Sequence, residues 1–190
     1  MKLSKTLTIA ILILIFGGAS FWLLKKPNNQ PQQQDSQEQI RQRDISKIKD
    51  FSENQDIKVE YVSAGKSAYN ENVQESLYYA GPDQYEIDSS NGKIIQFGTR
   101  SLPVGSENEK TYDNSPRYNA QELETMAKQF IAKNAPEVNL EKLSANNSNK
   151  ETNYFFRWED KSNKTTEGYP FIQVGFSHGG TLLSYTNTLK

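Results

Sequence analysis

The sequence contains no cysteine, so disulfide bonds, thiolate zinc sites, cysteine nucleophiles and a lipid-modified cysteine are all excluded. It has a single histidine, and it has neither a G-x-G-x-x-G nor a Walker glycine loop for binding a nucleotide. Acidic residues are missing from the first 26 positions, which hold four of the 22 basic residues. The rest of the chain carries 18 basic against 23 acidic side chains, a balance that disfavours binding to nucleic acid or to an anionic membrane surface.

The N-terminal region has an 18-residue run without charge, residues 7–24, which would be about 27 Å long as a helix. That length is close to the hydrocarbon thickness of a bilayer, and lysines stand on both sides of the run. We therefore predict a transmembrane anchor over residues 1–26, giving a single-pass membrane protein with an extracytoplasmic C-terminal domain. The alternative is a cleaved signal peptide, with Gly17 and Ala19 before the cut, which would give a secreted protein.

Residues 27–39 follow the anchor and are rich in amides. Eight of these 13 residues are Asn or Gln and none is apolar, which predicts a solvated polar tether. Ser36 and Gln39 have capping-box spacing and indicate that a helix follows. The apolar residues of that helix fall loosely on one face: Ile40, Ile45, Ile48 and Phe51.

Residues 40–100 are predicted to form a degenerate first α+β unit. Alternation of apolar and polar side chains predicts a strand at 57–63. The stretch 85–97 is predicted to be a hairpin, because Asn91 and Gly92 both tolerate the positive φ of a tight turn.

A Pro-, Gly- and Asn-rich connector is predicted at residues 101–117, and residues 118–190 form the predicted second α+β unit. Its helix is capped by Asn119, to which Glu122 can reach back to complete a capping box, and it stops before Pro136. Apolar residues between these points have helical spacing: Leu123, Met126, Ala127, Phe130 and Ile131.

Antiparallel strands are predicted after this helix, near residues 140–144, at 153–159 and in a closing hairpin, so that the helix covers one face of a meander. The closing hairpin repeats the earlier one when Gly92 is aligned with Gly180, 88 residues later. The apolar residues after the two turns then match, whereas before the turns the phase slips by one residue. On this alignment the matches before the turns are Tyr85 with Ile172 and Ile87 with Val174.

The second unit combines a helix with small and large apolar residues, an aromatic strand, a glycine before an exposed loop, and a closing hairpin. The residues concerned are Ala127, Phe130, Tyr154, Phe155, Phe156, Arg157, Trp158, Gly168, Val174, Phe176, Gly180, Leu182 and Tyr185. In this pattern the chain resembles the PepSY domain family, including the tandem versions found in bacterial envelope proteins. The resemblance covers residues 118–187, and it extends to residues 57–98 only through their hairpin.

PepSY domains occur in propeptides of secreted metallopeptidases and in membrane-anchored envelope proteins, where they are regarded as non-catalytic modules that bind proteins or restrain peptidases. The resemblance therefore implies an α+β fold without cofactor, metal or catalytic residues. The lone His178 fits this picture as a turn residue, because no nucleophile or orienting carboxylate stands near it in sequence.

Aromatic residues cluster in the predicted strand at 153–159, where side chains alternate between the two faces of the sheet. One set must be core, and the other is then either a contact surface or a second buried layer. The candidate partner-binding surface is drawn from Tyr154, Phe155, Phe156 and Trp158.

We expect a non-catalytic, membrane-anchored module that binds a protein or peptide outside the cytoplasm, restraining a peptidase or assisting an envelope complex. An extended partner segment would also be able to pair with an unprotected edge of the sheet. The alternative is a structural subunit of a membrane assembly, held mainly through its anchor helix.

Overall fold

The computed structural model describes residues 30–100, 102, 105, 112–149 and 153–189. The chain divides into two units, residues 1–38 and 39–190, and only the start of one helix is described in the first. The predicted anchor over residues 1–26 lies outside the described residues. Within them, no helix is both long enough and apolar enough to cross a bilayer.

Two α-helices, a short 3₁₀-helix and nine strands make up the described part of the chain. Their bounds are α1 (Gln30–Ser52), β1 (Glu60–Lys66), β2 (Gln74–Ala80), β3 (Asp83–Asp88), β4 (Ile94–Thr99), α2 (Ala120–Asn134), the 3₁₀-helix (Leu140–Lys142), β5 (Ser144–Ala145), β6 (Ser148–Asn149), β7 (Asn153–Glu159), β8 (Phe171–Ser177) and β9 (Leu182–Asn187). The strands form one antiparallel sheet in the order β1-β2-β3-β4-β9-β8-β7-β5, and β6 also pairs with β7. The fold class is α+β.

Helix α1 begins earlier than the sequence analysis predicted. It starts at Gln30, so ten residues assigned to the tether at 27–39 are helical. Glutamine and glutamate favour helix, and Pro31 lies in the first turn, where its missing N–H is not needed. The apolar face of the helix is confirmed further along, because Ile48 and Phe51 are buried in the core.

Helix α2 has the predicted start and end. The Asn119 side chain accepts hydrogen bonds from the backbone N–H groups of Gln121 and Glu122, both at 3.0 Å. The Glu122 carboxylate accepts from the Asn119 N–H at 2.8 Å and completes the capping box, and the last helical residue is Asn134. The residues that α2 buries are Leu123, Ala127 and Ile131.

Both helices supply residues to one hydrophobic core on a single face of the sheet. One residue from each of six neighbouring strands forms a paired row across this face, and none is more than 4% exposed: Tyr78, Tyr85, Phe97, Tyr185, Val174 and Phe156. Phe51 of α1 and Phe130 of α2 meet over the middle of the row, with ring centroids 5.2 Å apart and planes at 89°. Full burial of a phenylalanine side chain, as for Phe97, stabilises the fold by about 1.5–3 kcal/mol.

The two halves of the sheet meet where β4 pairs with β9. The paired residues are Gln96 with Thr186, Phe97 with Tyr185 and Gly98 with Ser184. Phe97 and Tyr185 are related by the 88-residue offset between the two hairpins, so this pairing is symmetric about them. Both hairpins also contain a register shift at the same place, where Ile95 is the extra residue in the first and Leu183 in the second.

Before the turns, the register corrects the predicted alignment of the two hairpins. Tyr85 pairs with Phe97, and Val174 pairs with Tyr185, which is the position equivalent to Phe97. Tyr85 therefore corresponds to Val174 and not to Ile172. By the same register, Ile87 corresponds to Phe176. The second turn is therefore one residue shorter than the first. Alternating apolar residues match equally well when one hairpin is shifted by one residue towards either end of the chain. The pattern alone therefore could not show the direction of the shift.

Some local predictions hold and others shift. The positive φ predicted for the hairpin turn is confirmed at Gly92 (78°) but not at Asn91, and Gly180 has the same conformation as Gly92 (81°). The strand predicted at 57–63 begins at Glu60, because the apolar residues before it pack on the core without joining a ladder. The strand predicted near 140–144 is mostly the 3₁₀-helix, and only the two residues of β5 pair with β7.

Candidate functional site

Strand β7 divides the predicted aromatic surface between the two faces of the sheet. Phe156 and Trp158 are 1% and 4% exposed and belong to the hydrophobic core, which excludes them from a partner-binding surface. Tyr154 is half-buried on the same face and stacks on Phe156, with ring centroids 6.3 Å apart. Phe155 alone of the four lies on the opposite face. Alternation along a strand predicts which side chains share a face of the sheet, but it does not predict which of the two faces is buried.

The opposite face, called the open face below, carries no helix within the described residues. One row of paired residues crosses it from β2 to β7: Tyr79, Gln84, Gly98, Ser184, Gly175 and Phe155. The Phe155 ring lies over Gly175, where an added Cβ would come within 2.7 Å of it. Gly98 has no neighbour within 4 Å of the same position. The row is therefore open in the middle and bounded by aromatic rings.

The β1–β2 loop, residues 67–73, contacts one end of the open face. Its Tyr69 ring meets Phe171 edge-on, with centroids 6.1 Å apart. Burial raises the pKa of Tyr69, the negative charge of Glu86 raises it further, and a hydrogen bond from Thr186 lowers it. Tyr69, which belongs to the first half of the chain, therefore contacts residues of the second half.

Two half-buried carboxylates lie beside this loop. Burial raises the pKa of Glu75, against a hydrogen bond from Ser67 that lowers it. Burial also raises the pKa of Glu86, and the nearby charge of Glu75 raises it further. No lysine or arginine among the described residues forms an ion pair with either carboxylate. Both groups therefore hold protons more tightly than ordinary glutamates do.

Strand β1 is the edge strand at the first end of the sheet, and all seven of its residues are exposed. Within the described chain, no strand pairs with its outer edge. Tyr61 and Val62 are 38% and 41% exposed, and the register shift of the β1–β2 ladder falls at Val62. An exposed edge presents unpaired N–H and C=O groups, which are a template for another strand.

Two arginines stack on tyrosines beside β1. The guanidinium carbon of Arg41 is 4.3 Å from the centroid of Tyr61, on the helix-bearing side of the sheet. Arg100 is 4.5 Å from the centroid of Tyr79, on the open face. Among the described residues, neither guanidinium forms an ion pair with a carboxylate. Stacks of this kind contribute about 0.5–1 kcal/mol each at exposed sites.

A buried polar cluster fixes the helix turn that carries Arg41. Asp44 is fully buried and accepts hydrogen bonds from the Tyr78 hydroxyl at 3.0 Å and from Arg43 Nη2 at 2.7 Å. Arg43 also donates to the carbonyl of Ser89 in the β3–β4 turn at 3.1 Å. Burial and the negative charge of Asp44 both raise the pKa of Tyr78. The cluster ties α1 to β2 and to this turn, and so positions Arg41 over β1.

No group of three or more His, Asp or Glu side chains in the described part of the chain is placed to hold a metal ion. His178 stands in the β8–β9 turn, as predicted, with its ring centroid 4.9 Å from that of Tyr154. Its carbonyl accepts hydrogen bonds from the N–H groups of Arg117 and Tyr118 at 3.2 and 3.3 Å. His178 thus links the segment before α2 to the β8–β9 turn.

Strand β1 was not predicted as a site from the sequence, although one signal was present. The predicted strand alternates until Val62, where an apolar residue directly follows Tyr61. That break coincides with the register shift in the ladder. The Arg41–Tyr61 stack had no sequence signal, because it joins a helix to a strand 20 residues later.

No protein-family model matches the sequence, and no curated protein matches it. Among solved structures, the C-terminal domain of YpeB from Bacillus megaterium is similar, with 11% identity and a TM-score of 0.49. The match covers 76% of this chain and 61% of that one, so it spans less than two thirds of the YpeB domain. A likeness at this level carries no argument about the fold or the partners of this chain.

Proposed function

We propose that this protein is a non-catalytic, extracytoplasmic binding module, held at the membrane by its N-terminal helix, that takes up an extended segment of a partner protein as an additional strand beside β1. The observation that carries the proposal is the exposure of β1 on both faces, together with an outer edge that no described strand occupies. Backbone hydrogen bonds to such an edge supply affinity, and contacts with alternate side chains supply specificity.

We also propose that the module consists of two PepSY-like halves. Each half runs from a helix into an antiparallel meander, and the two meanders join through the symmetric β4–β9 pairing. The shared register shift in the two hairpins supports a common origin, as does the meeting of Phe51 and Phe130 over the junction. In this arrangement β4 and β9 pair with each other, so neither has an exposed edge, and β1 is the long strand left at an edge of the sheet.

The surroundings of β1 favour binding over catalysis. The exposed groups there include the Tyr61 ring, the Val62 side chain and an ion pair between Lys58 and Glu60 at 2.6 Å. Apolar and aromatic side chains on an edge strand add contact area to a docked segment. A docked segment would position a partner, such as a peptidase or an envelope protein, close to the membrane.

The proposal is tested by site-specific photo-cross-linking of the full-length protein in cells. A photoreactive residue replaces Val62, and a matched control carries it at Gln129, which is exposed on α2. We expect a cross-linked polypeptide from position 62 that position 129 does not give. Equal yields from both positions would refute strand addition at β1.

The same experiment separates this function from the alternative of a structural subunit held through its anchor. The proposed anchor, residues 1–26, is exchanged for an unrelated membrane helix, and cross-linking at position 62 is repeated. We expect the cross-link to persist, because the partner is bound by β1. Its loss after the exchange would favour the anchor-held subunit.

A further inference from the structure

The charges around β1 point to the chemistry of the partner, and we infer that the docked segment carries an Asp or Glu side chain where it passes Tyr61, paired with Arg41. This inference rests on the strand-addition function proposed above. It adds what that function leaves open, namely which kind of extended segment fits this edge.

Positive charge is in excess at the first half of β1. The described charged residues there are Arg41, Lys58, Glu60 and Arg100. Lys58 and Glu60 pair with their charged atoms 2.6 Å apart, and Glu60 also interacts with Arg100, so one carboxylate faces three cations and the arginines carry the excess positive charge. Both are half-buried, and neither pairs with a carboxylate among the described residues. A partly desolvated cation of this kind is stabilised by an incoming anion.

Arg41 is the arginine that a docked side chain reaches first. Tyr61 belongs to β1 itself and faces the helix-bearing side, as shown by its pairing with the core residue Tyr78 and a ring separation of 5.6 Å. A residue opposite Tyr61 on an added strand would have its Cβ about 4.5–5.5 Å from that of Tyr61. A carboxylate there would reach Arg41, which lies 4.3 Å from the Tyr61 ring.

Stacking on Tyr61 suits Arg41 to this task. The guanidinium carbon lies over the Tyr61 ring, and no described carboxylate pairs with the N–H groups, so a docked carboxylate can accept a two-point hydrogen bond from them. On the open face the geometry differs, because Arg100 lies over Tyr79, one strand further in, and Glu60 stands between it and the edge. Only the residue that faces the helices is therefore required to be acidic.

An acidic peptide is favoured over an anionic lipid as the source of the carboxylate or phosphate. The chain beyond residue 26 carries five more acidic than basic side chains, so the domain as a whole is repelled by an anionic membrane surface. A peptide docked on β1 makes backbone hydrogen bonds that a lipid headgroup cannot make.

The test uses the full-length protein in cells with the photoreactive residue at position 62. Arg41→Gln is compared with Lys47→Gln, which removes one charge from an exposed position of the same helix. We expect Arg41→Gln to lower the yield of the cross-link about tenfold, as for the loss of one charge-assisted hydrogen bond, and Lys47→Gln to leave it unchanged. Arg41→Lys should restore part of the yield. Unchanged thermal melting of Arg41→Gln shows that the fold is intact.

Mass spectrometry then sequences the cross-linked partner segment. An Asp or Glu within two residues of the cross-linked position supports the inference. A segment without an acidic residue there, a yield that does not respond to Arg41→Gln, or a cross-link to lipid would overturn the inference, although a cross-linked segment would leave strand addition standing. A yield at position 62 no higher than at position 129 would overturn the function itself and the inference with it.

Discussion

Asp44 holds α1 on the sheet, and its replacement tests that role directly. The side chain is fully buried and accepts hydrogen bonds from the Tyr78 hydroxyl at 3.0 Å and from Arg43 at 2.7 Å. Asp44→Ala removes both hydrogen bonds and leaves the fully buried Tyr78 hydroxyl with only the Ser76 side chain as a partner. Asp44→Asn is the matched control, because its amide oxygen can still accept from Tyr78.

The magnitude follows from what each variant leaves behind. Removing the carboxylate acceptor of a buried hydroxyl costs about 1–3 kcal/mol, and a hydrogen bond to a charged group contributes about 1.5–3 kcal/mol. The Arg43 side chain is 31% exposed, so water can replace part of what it loses. We therefore expect Asp44→Ala to lower the free energy of unfolding by about 3 kcal/mol and Asp44→Asn by about 1–2 kcal/mol.

Urea unfolding, followed by the fluorescence of the buried Trp158, measures these changes. Tyr78→Phe alone should cost about 1.5 kcal/mol, because Asp44 keeps its ion pair with Arg43. The double variant Asp44→Ala with Tyr78→Phe should cost at least about 1 kcal/mol less than the sum of the single changes, since the hydroxyl that lost its carboxylate acceptor is then absent. Additivity of the two changes would refute the proposed coupling.

Four further changes test the open face and the second helix. Gly175→Ala should lower stability by about 1–3 kcal/mol, because the new Cβ would come within 2.7 Å of the Phe155 ring. Gly98→Ala on the same face meets no atom within 4 Å and should change stability by less than about 1 kcal/mol, so equal thermal shifts would contradict the packing. Asn119→Ala removes the cap of α2 and should cost about 1 kcal/mol, measured as a lower urea midpoint. Burial raises the pKa of Glu86, so protonation of Glu86 favours the folded state. The stability that protonated Glu86 contributes is present at acid pH. It is lost as pH rises from the ordinary glutamate pKa through the raised pKa. Glu86→Gln should therefore stabilise the protein by about 0.5 kcal/mol at neutral pH, after allowance for solvent screening, and a pH-independent effect on the urea midpoint would refute this.

Elements with local signals were predictable from the sequence. The bounds of α2 follow from its capping box, and the turns at Gly92 and Gly180 need a positive φ that glycine adopts without strain. Strand β7 has the predicted bounds, because aromatic residues recur at every second position, Tyr154, Phe156 and Trp158. These features depend on residues within a few positions of each other, so the sequence contains what determines them.

The joining of the two meanders into one sheet had no such signal. The pairing of Phe97 with Tyr185 links residues 88 positions apart, and no local pattern states which strand edges meet. The early start of α1 also escaped the sequence analysis, because amide-rich segments suit both helix and solvated tether. The partner surface was placed on β7, where half of the aromatic residues are core, whereas the exposed edge at β1 became visible only from the strand order.

The position of α1 directly before β1 has a mechanical consequence. In the proposed arrangement, with residues 1–26 in a membrane and a partner strand docked on β1, a pull between the two would enter through α1 and leave through the adjacent strands of the first half. The load would be resisted by the Asp44 hydrogen bonds and by the packing of Phe51, and would bypass the three-residue ladder between β4 and β9. The second half would then stay folded and unloaded while the first half bears the tension.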